Sequence, residues 1–260
     1  MQTFLISLVL GFTACQTAPI KQRDLPHVAE TLKLAKIRLN EGRAADALDA
    51  IRPLRQTVSN HIDVLRTSGL IHLALENHRK AISEFKAAYR IESSAENALN
   101  LSSAMLSAGS PEHVKNILIP HLNDSNYIHK ERLYHNLALA SEHQKNNKIA
   151  IHWYEKALSE YPIFYLSLLQ LGRLKMQSSQ EDQAASLFER AIASCTPCFD
   201  PVRELVLSYQ QQHQYHKAIR TLRQHLKVKD ITHPKEAHAL LRSLSRLAVA
   251  KRAHKRKRRS

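Results

Sequence analysis

Small and large apolar side chains recur along this chain at a fixed interval. Counting in 34s gives units that begin at Val28, Ile62 and Glu96 and, after one extra residue at Lys130, at Glu131, Tyr165 and Phe199; the span ends at Thr232. Position 8 of successive units is Ala35, Gly69, Ser103, Ala138, Gly172 and Val206, nearly all small. Position 20 is Ala47, Ala81, Lys115, Ala150, Ala184 and Ala218, and position 24 is Ile51, Phe85, Ile119, Tyr154, Phe188 and Leu222. A period of this length marks stacked supersecondary units. Within each unit the spacing predicts two antiparallel helices: the small residues at 8 and 20 stand where the backbones approach most closely, and the large residue at 24 fills the gap toward the next unit. No unit can bury such a face alone, so the units must stack. Unit three departs most, because Lys115 replaces a small residue and Pro120 interrupts its second helix. Beyond Pro234, Leu240, Leu241, Leu244 and Leu247 recur at helical spacing. They predict a capping helix over residues 233–250 whose apolar face covers the last unit.

The pattern resembles the tetratricopeptide repeat, most clearly in units two, four and five. The residues that carry it are Ser68-Gly69, Ala81, Phe85 and Ala88; then Leu137-Ala138, Ala150, Tyr154, Ala157 and Pro162; then Leu171-Gly172, Ala184, Phe188 and Ala191. The resemblance implies an all-α fold, an α-solenoid wound as a right-handed superhelix of about six units (28–61, 62–95, 96–129, 131–164, 165–198 and 199–232). In proteins of this type the first helices form a concave wall through unit positions 2, 5, 9, 12 and 13. Carried onto this chain, that wall comprises Lys36, Arg66, Leu70, Leu73, Asn97, Asn100, Arg132, His135, Leu139, Leu169, Arg173, Met176 and Arg203. Such a surface suits an extended or helical peptide, with Asn amides bonding its backbone, Arg forks its carboxylates, and Leu and Met its apolar side chains. The plainer reading of each stays open: a helix-surface Arg is solvated, and Leu70 or Leu139 packs between units.

Composition narrows the field. Of 260 residues 43% are hydrophobic, with only 5 Gly and 9 Pro, which argues against collagen-like, linker-like or turn-rich all-β chains. No run reaches the roughly 18 apolar residues that a spanning helix needs. The formal charge is +15, and Lys251, Arg252, Lys255, Arg256, Lys257, Arg258 and Arg259 contribute seven of it without an acid between them, leaving +8 elsewhere. Like charges repel and bury nothing, so residues 251–260 are expected to form a disordered basic tail. It reads as a solvated end, as an anionic-surface contact through Lys255, Arg256, Lys257, Arg258 and Arg259, or as a nucleic-acid or nuclear signal.

The other terminus weighs against that last pair. Phe4 to Leu10 is a short apolar stretch, followed by Gly11-Phe12-Thr13-Ala14-Cys15 and then Gln16-Thr17-Ala18-Pro19. This resembles a bacterial lipoprotein signal, with Thr13 and Ala14 preceding the cysteine that takes the lipid. Phe12 stands where Leu is usual, and no Lys or Arg precedes the apolar stretch. The resemblance implies a signal over 1–14, a linker over 15–27 and lipid attachment at Cys15, with Gln16 pointing to the outer membrane. An ordinary secretory signal, or a buried N-terminal helix with an incidental cysteine, remains the alternative.

The other cysteines form Cys195-Thr196-Pro197-Cys198 at the joint of units five and six. In an oxidising compartment a pair this close in a turn reads as a disulfide. Free thiols are the alternative, and a zinc site would need two further ligands, with His213 and His216 as distant candidates. Sixteen histidines are scattered along the chain, in every unit but the fifth, and there is no phosphate loop, zinc-protease motif or nucleophile elbow. No catalytic residue, metal or cofactor is assigned, and the chain reads as a non-enzyme. A lipid-anchored six-unit solenoid resembles the pilotin lipoproteins of type IV pilus assembly. That resemblance implies a factor at the periplasmic face of the outer membrane that binds secretin subunits and promotes their assembly. Two other readings stand beside it: a periplasmic adaptor that docks peptidoglycan hydrolases or other envelope complexes, and a cytosolic nucleic-acid-binding protein that uses the basic tail.

Overall fold

The computed structural model describes residues 26–257, which form thirteen helices, with no strand among the described residues. They alternate as pairs: α1 (Pro26–Asn40) with α2 (Ala44–Thr57), α3 (Ile62–Ala74) with α4 (His78–Ile91), α5 (Ala95–Ser107) with α6 (Val114–Leu118), α7 (Lys130–His143) with α8 (Asn147–Glu160), α9 (Tyr165–Gln177) with α10 (Glu181–Ser194), and α11 (Phe199–Gln211) with α12 (Tyr215–His225). A long α13 (Pro234–Lys257) closes the series, and a 3-10 turn, Ile119–His121, follows α6. The described residues form an α-solenoid of stacked helix pairs, the architecture expected of tetratricopeptide repeats.

One hydrogen-bonding device joins the two helices of every pair. At the end of α3, Glu76 adopts a left-handed φ of 57°; its N–H bonds the carbonyl of Leu73 and the N–H of Asn77 bonds that of His72, at 2.9 and 2.8 Å. This satisfies the carbonyls left over when a helix ends. The same pair of bonds recurs at Gly42, Gly109, Lys145, Ser179 and His213, each with positive φ. The intervals between these residues are 34, 33, 36, 34 and 34. Unit three therefore starts one residue earlier than the uniform count from Val28 places it.

That offset corrects the expected register. Val114 and Leu118, not Lys115 and Ile119, take the two inward positions of the third unit's second helix; both are fully buried, whereas Ile119 is half exposed. Ser102 is the buried small residue on α5, in place of Ser103. Pro120 has no N–H to continue the helix and sits in the 3-10 turn, so α6 has five residues where the other second helices have eleven to fourteen.

Packing follows residue size. Ala35, Ala47, Ala81, Ala138, Ala150, Ala184 and Ala218 are all fully buried, and lacking bulk they let helices meet closely. The large residue at position 24 lies over its own unit's position 8 as well as reaching the next unit. Phe85 covers Gly69 so closely that an added Cβ would stand 2.6 Å from its Cε1, while its ring also joins Leu101 and Ala104 of α5. Phe188 repeats this over Gly172, with Leu205 of α11 beyond. The odd-numbered helices touch along the inner side, α1 with α3, α3 with α5, α5 with α7, α9 with α11 and α11 with α13. The even-numbered helices make no comparable contact with one another. Splayed outer helices and touching inner ones curve the stack.

The last helix corrects a second expectation. Ala237 and Leu244 of α13 are buried against Val202, Val206 and Leu222, with Leu240 and Leu241 packed beside them. The helix does not stop at Ala250; it runs on through seven residues of the expected disordered tail to Lys257. Lys, Arg and Ala are good helix formers, cations in a last turn suit the helix dipole, and Lys251 Nζ stands 5.2 Å from the Tyr215 ring centre. Cys15, the signal over 1–14, Arg258 and Arg259 lie outside the described residues.

Candidate functional site

Where α5, α7 and the start of α9 meet on the inner side, they enclose a cleft of about 270 Å³. Leu99, Leu106, Leu139, Phe164 and Leu166 form its apolar lining, and Ser103, Ser107, His135, Asn136 and Arg132 its polar part. No carboxylate lines it. Arg132 is exposed at the start of α7 and, among the described residues, has no ion-pair partner. Asn136 donates from Nδ2 to the hydroxyls of Ser102 and Ser103 at 3.0 and 2.9 Å, tying α7 to α5. His135 shares a 2.9 Å hydrogen bond with Ser167 Oγ through Nδ1, and its ring packs 5.5 Å from that of Tyr154 and 5.4 Å from that of Phe164. Burial in this setting lowers its pKa to about 4, so at neutral pH the ring is uncharged. Tyr154 in turn donates to Glu142 at 2.6 Å. The floor is therefore fixed and neutral, with a guanidinium at the rim that lies beside the Tyr127 hydroxyl and that no carboxylate pairs among the described residues.

The residues that sequence reasoning placed on the wall divide into three groups. Arg132, His135 and Leu139 come together in the cleft; Lys36 is exposed, Leu70 is 40% exposed and Asn100 is partly exposed. Leu73, Leu169 and Met176 pack into the joints between units. A third group is already engaged. Asn97 is fully buried, accepting from Arg66 Nε at 2.6 Å and donating to the carbonyl of Glu92 at 2.8 Å. Arg173 donates twice to Glu204 Oε1, at 3.1 and 2.8 Å, and Arg203 pairs with Asp200 at 2.7 Å and Glu236 at 3.3 Å. These forks expected to bind a ligand's carboxylates instead link one unit to the next, because stacking brings acids 31 to 33 residues ahead within reach.

Ser107, at position 12 of the count, was passed over, whereas the one-residue slip in unit three hid Leu99 and Leu106 and assigned Ser103 to packing. The signal that finds them is Gly109: set level with Gly42 as the left-handed turn residue, it moves the unit's start to Ala95. Leu166 occupies position 2 of unit five by the same count and was passed over.

Two further clefts open between the splayed outer helices. One, of about 670 Å³, lies between α2 and α4 and is lined by Arg52, Arg55, Lys80, His72 and Glu84 among others. Arg55 and Glu84 form an ion pair at 3.0 Å there, and burial lowers the pKa of His72. The other, of about 280 Å³, lies between α10 and α12. At its edge Cys195 and Cys198 are joined as a disulfide with Cα atoms 5.4 Å apart, and Thr232 holds that loop by donating from N to the carbonyl of Pro197 at 2.9 Å. No group of three or more His, Cys, Asp or Glu side chains among the described residues is arranged to hold a metal.

Residues 131–164 match the tetratricopeptide repeat family. No curated protein matches the chain. Among solved structures, PilW, a widely conserved type IV pilus biogenesis factor, superposes with a TM-score of 0.68 at 16% identity, over 85% of this chain and 99% of its own. A tetratricopeptide repeat protein from Parabacteroides merdae gives 0.67 at 13% identity, over 86% of each chain. The pilF protein of Pseudomonas aeruginosa gives 0.63 at 15% identity, over 82% of this chain and 97% of its own. At such identities the likeness is one of fold.

Proposed function

We propose that this protein is a non-enzymatic scaffold of type IV pilus biogenesis, a lipoprotein anchored through Cys15 at the periplasmic face of the outer membrane, whose inner cleft takes a segment of an outer-membrane secretin subunit and so assists secretin assembly. The observation that carries the binding half is the cleft: five apolar side chains around a neutral floor, with Arg132, which no carboxylate pairs among the described residues, at the mouth. It suits a peptide that buries one or two large apolar side chains and offers a carboxylate or carbonyl to the guanidinium. Support for the pilus half is the match in extent with PilW and pilF, whose chains are spanned almost entirely. Binding would act as a population shift, since a groove that prefers the unassembled subunit holds it at the membrane where the ring forms.

The test combines Arg132→Glu with Leu166→Asp, two cleft residues outside the buried clusters. Deleting the gene is expected to remove surface pili and sodium-dodecyl-sulfate-resistant secretin multimers. The native gene restores both, and the double variant, present at native level in the outer-membrane fraction, does not. Normal pili in the deletion strain, with altered cell-wall turnover, would replace this reading with the adaptor of peptidoglycan hydrolases.

A further inference from the structure

The positive charge of this protein belongs to one end of the fold. From Tyr215 to Ser260 there are fifteen Lys and Arg and two acids, a net +13 of the chain's +15, so the preceding 214 residues carry only +2. Most of those cations lie on α12 and α13, ordered helices that pack on one another through Tyr215, Ile219, Leu240 and Leu241. In the body of the solenoid six arginines, Arg43, Arg52, Arg55, Arg66, Arg173 and Arg203, sit in ion pairs. Those of the end differ. Arg220 and Arg223 of α12 and Arg242 and Arg246 of α13 are exposed, and among the described residues none has a carboxylate within ion-pair distance. One of the end's two acids, Glu236, is already held by Arg203. Beside the free arginines α13 also exposes apolar side chains, with Leu247 39% and Val249 65% accessible.

We propose that the α12–α13 end is a folded docking face for an anionic lipid surface. Fixed cations attract acidic headgroups, and exposed Leu247 and Val249 can enter the boundary between headgroups and acyl chains, as interfacial helices do. The apolar pair favours lipid over nucleic acid, whose phosphates offer it nothing. This differs from contact by a flexible tail, because the charge rides on α13, a helix of 24 residues, and so fixes how the solenoid meets the surface. It is independent of the pilus reading: a solenoid with any inner-groove ligand would dock this way.

Vesicle co-sedimentation tests it, using the chain from residue 16 onward, which contains all thirteen helices and no acylated cysteine. Binding is expected to vesicles containing about a third phosphatidylglycerol and not to phosphatidylcholine alone, and to fall with added salt. Arg220→Gln, Arg223→Gln, Arg242→Gln and Arg246→Gln together should weaken it on the order of a hundredfold or more, since each cation near such a surface is worth roughly fivefold. Arg79→Gln, Arg90→Gln, Lys33→Gln and Lys36→Gln together, an equal loss of charge elsewhere, should leave it within about twofold, and circular dichroism should match for all. Equal weakening by the control set would overturn the proposal in favour of diffuse attraction. So would full loss on neutralising only residues 255–259, which would return the role to the tail, or displacement from vesicles by a short DNA duplex at lower concentration than phosphatidylglycerol.

Discussion

Gly69 lies beneath a ring that leaves it no side chain. With Phe85 Cε1 2.6 Å from where a Cβ would stand, Gly69→Ala should cost about 1–3 kcal/mol in urea unfolding. Adding Phe85→Leu should recover part of that loss, since the two residues share one contact. His135 offers a second measurement. Burial lowers its folded pKa to about 4, against about 6.5 in an unfolded chain. Its contribution to stability is therefore complete above pH 6.5 and is lost as the pH falls toward 4, because the unfolded chain binds the proton first; the full difference is about 3 kcal/mol. His72 and His225, also lowered by burial, slope the same way. Unfolding between pH 7.5 and 4.5 should thus lose less stability in His135→Gln than in the native protein, and equal slopes would rule out His135 as a buried neutral base.

Among the helices, α6 is the exception that the remaining pairs make visible. Five residues and a 3-10 turn replace a second helix of normal length, and the segment is held by Val114 and Leu118, with His121 hydrogen-bonded to Tyr89 at 2.9 Å. Few helical hydrogen bonds and a loop on either side set a low cost of local opening. Amide exchange should therefore be on the order of tenfold faster over 113–122 than over α4 or α8, at a pH where global unfolding is rare. This element also marks how far the sequence could be read. Where Ala and a large apolar residue repeat, as at Ala81 and Phe85 or Ala184 and Phe188, size alone disclosed the helix pair and its inward face. In unit three Lys115 in a small-residue slot and Pro120 mark the unit as irregular without saying that its register has slipped; the turn geometry at Gly109 does. The partners of Arg66, Arg173 and Arg203 were hidden for another reason. Besides the local acids Asp63 and Asp200, the partners Asn97, Glu204 and Glu236 lie about a whole unit away, and that distance depends on how the units stack, which a single helix pattern does not encode.

Taken whole, the molecule is a curved row whose inner wall is tied by arginines reaching one unit forward and whose cationic character is gathered at the end. The groove sits in the middle of the row, between α5 and α9, well separated along the chain from the basic helices. A partner held there and a surface held at α12–α13 would not compete for residues. The turns that space the row carry a consequence for its durability. Of the six left-handed residues that join the helices of a pair, four are Glu76, Lys145, Ser179 and His213, side chains for which that conformation costs on the order of 1 kcal/mol. Glycine there would relax the backbone; Glu76, Lys145 and Ser179 lie clear of core, cleft and basic end, while His213 also contacts the Tyr215 ring. A fourfold replacement should raise the unfolding midpoint by several degrees, giving a hardier chassis on which unstable groove or surface variants could be carried and compared.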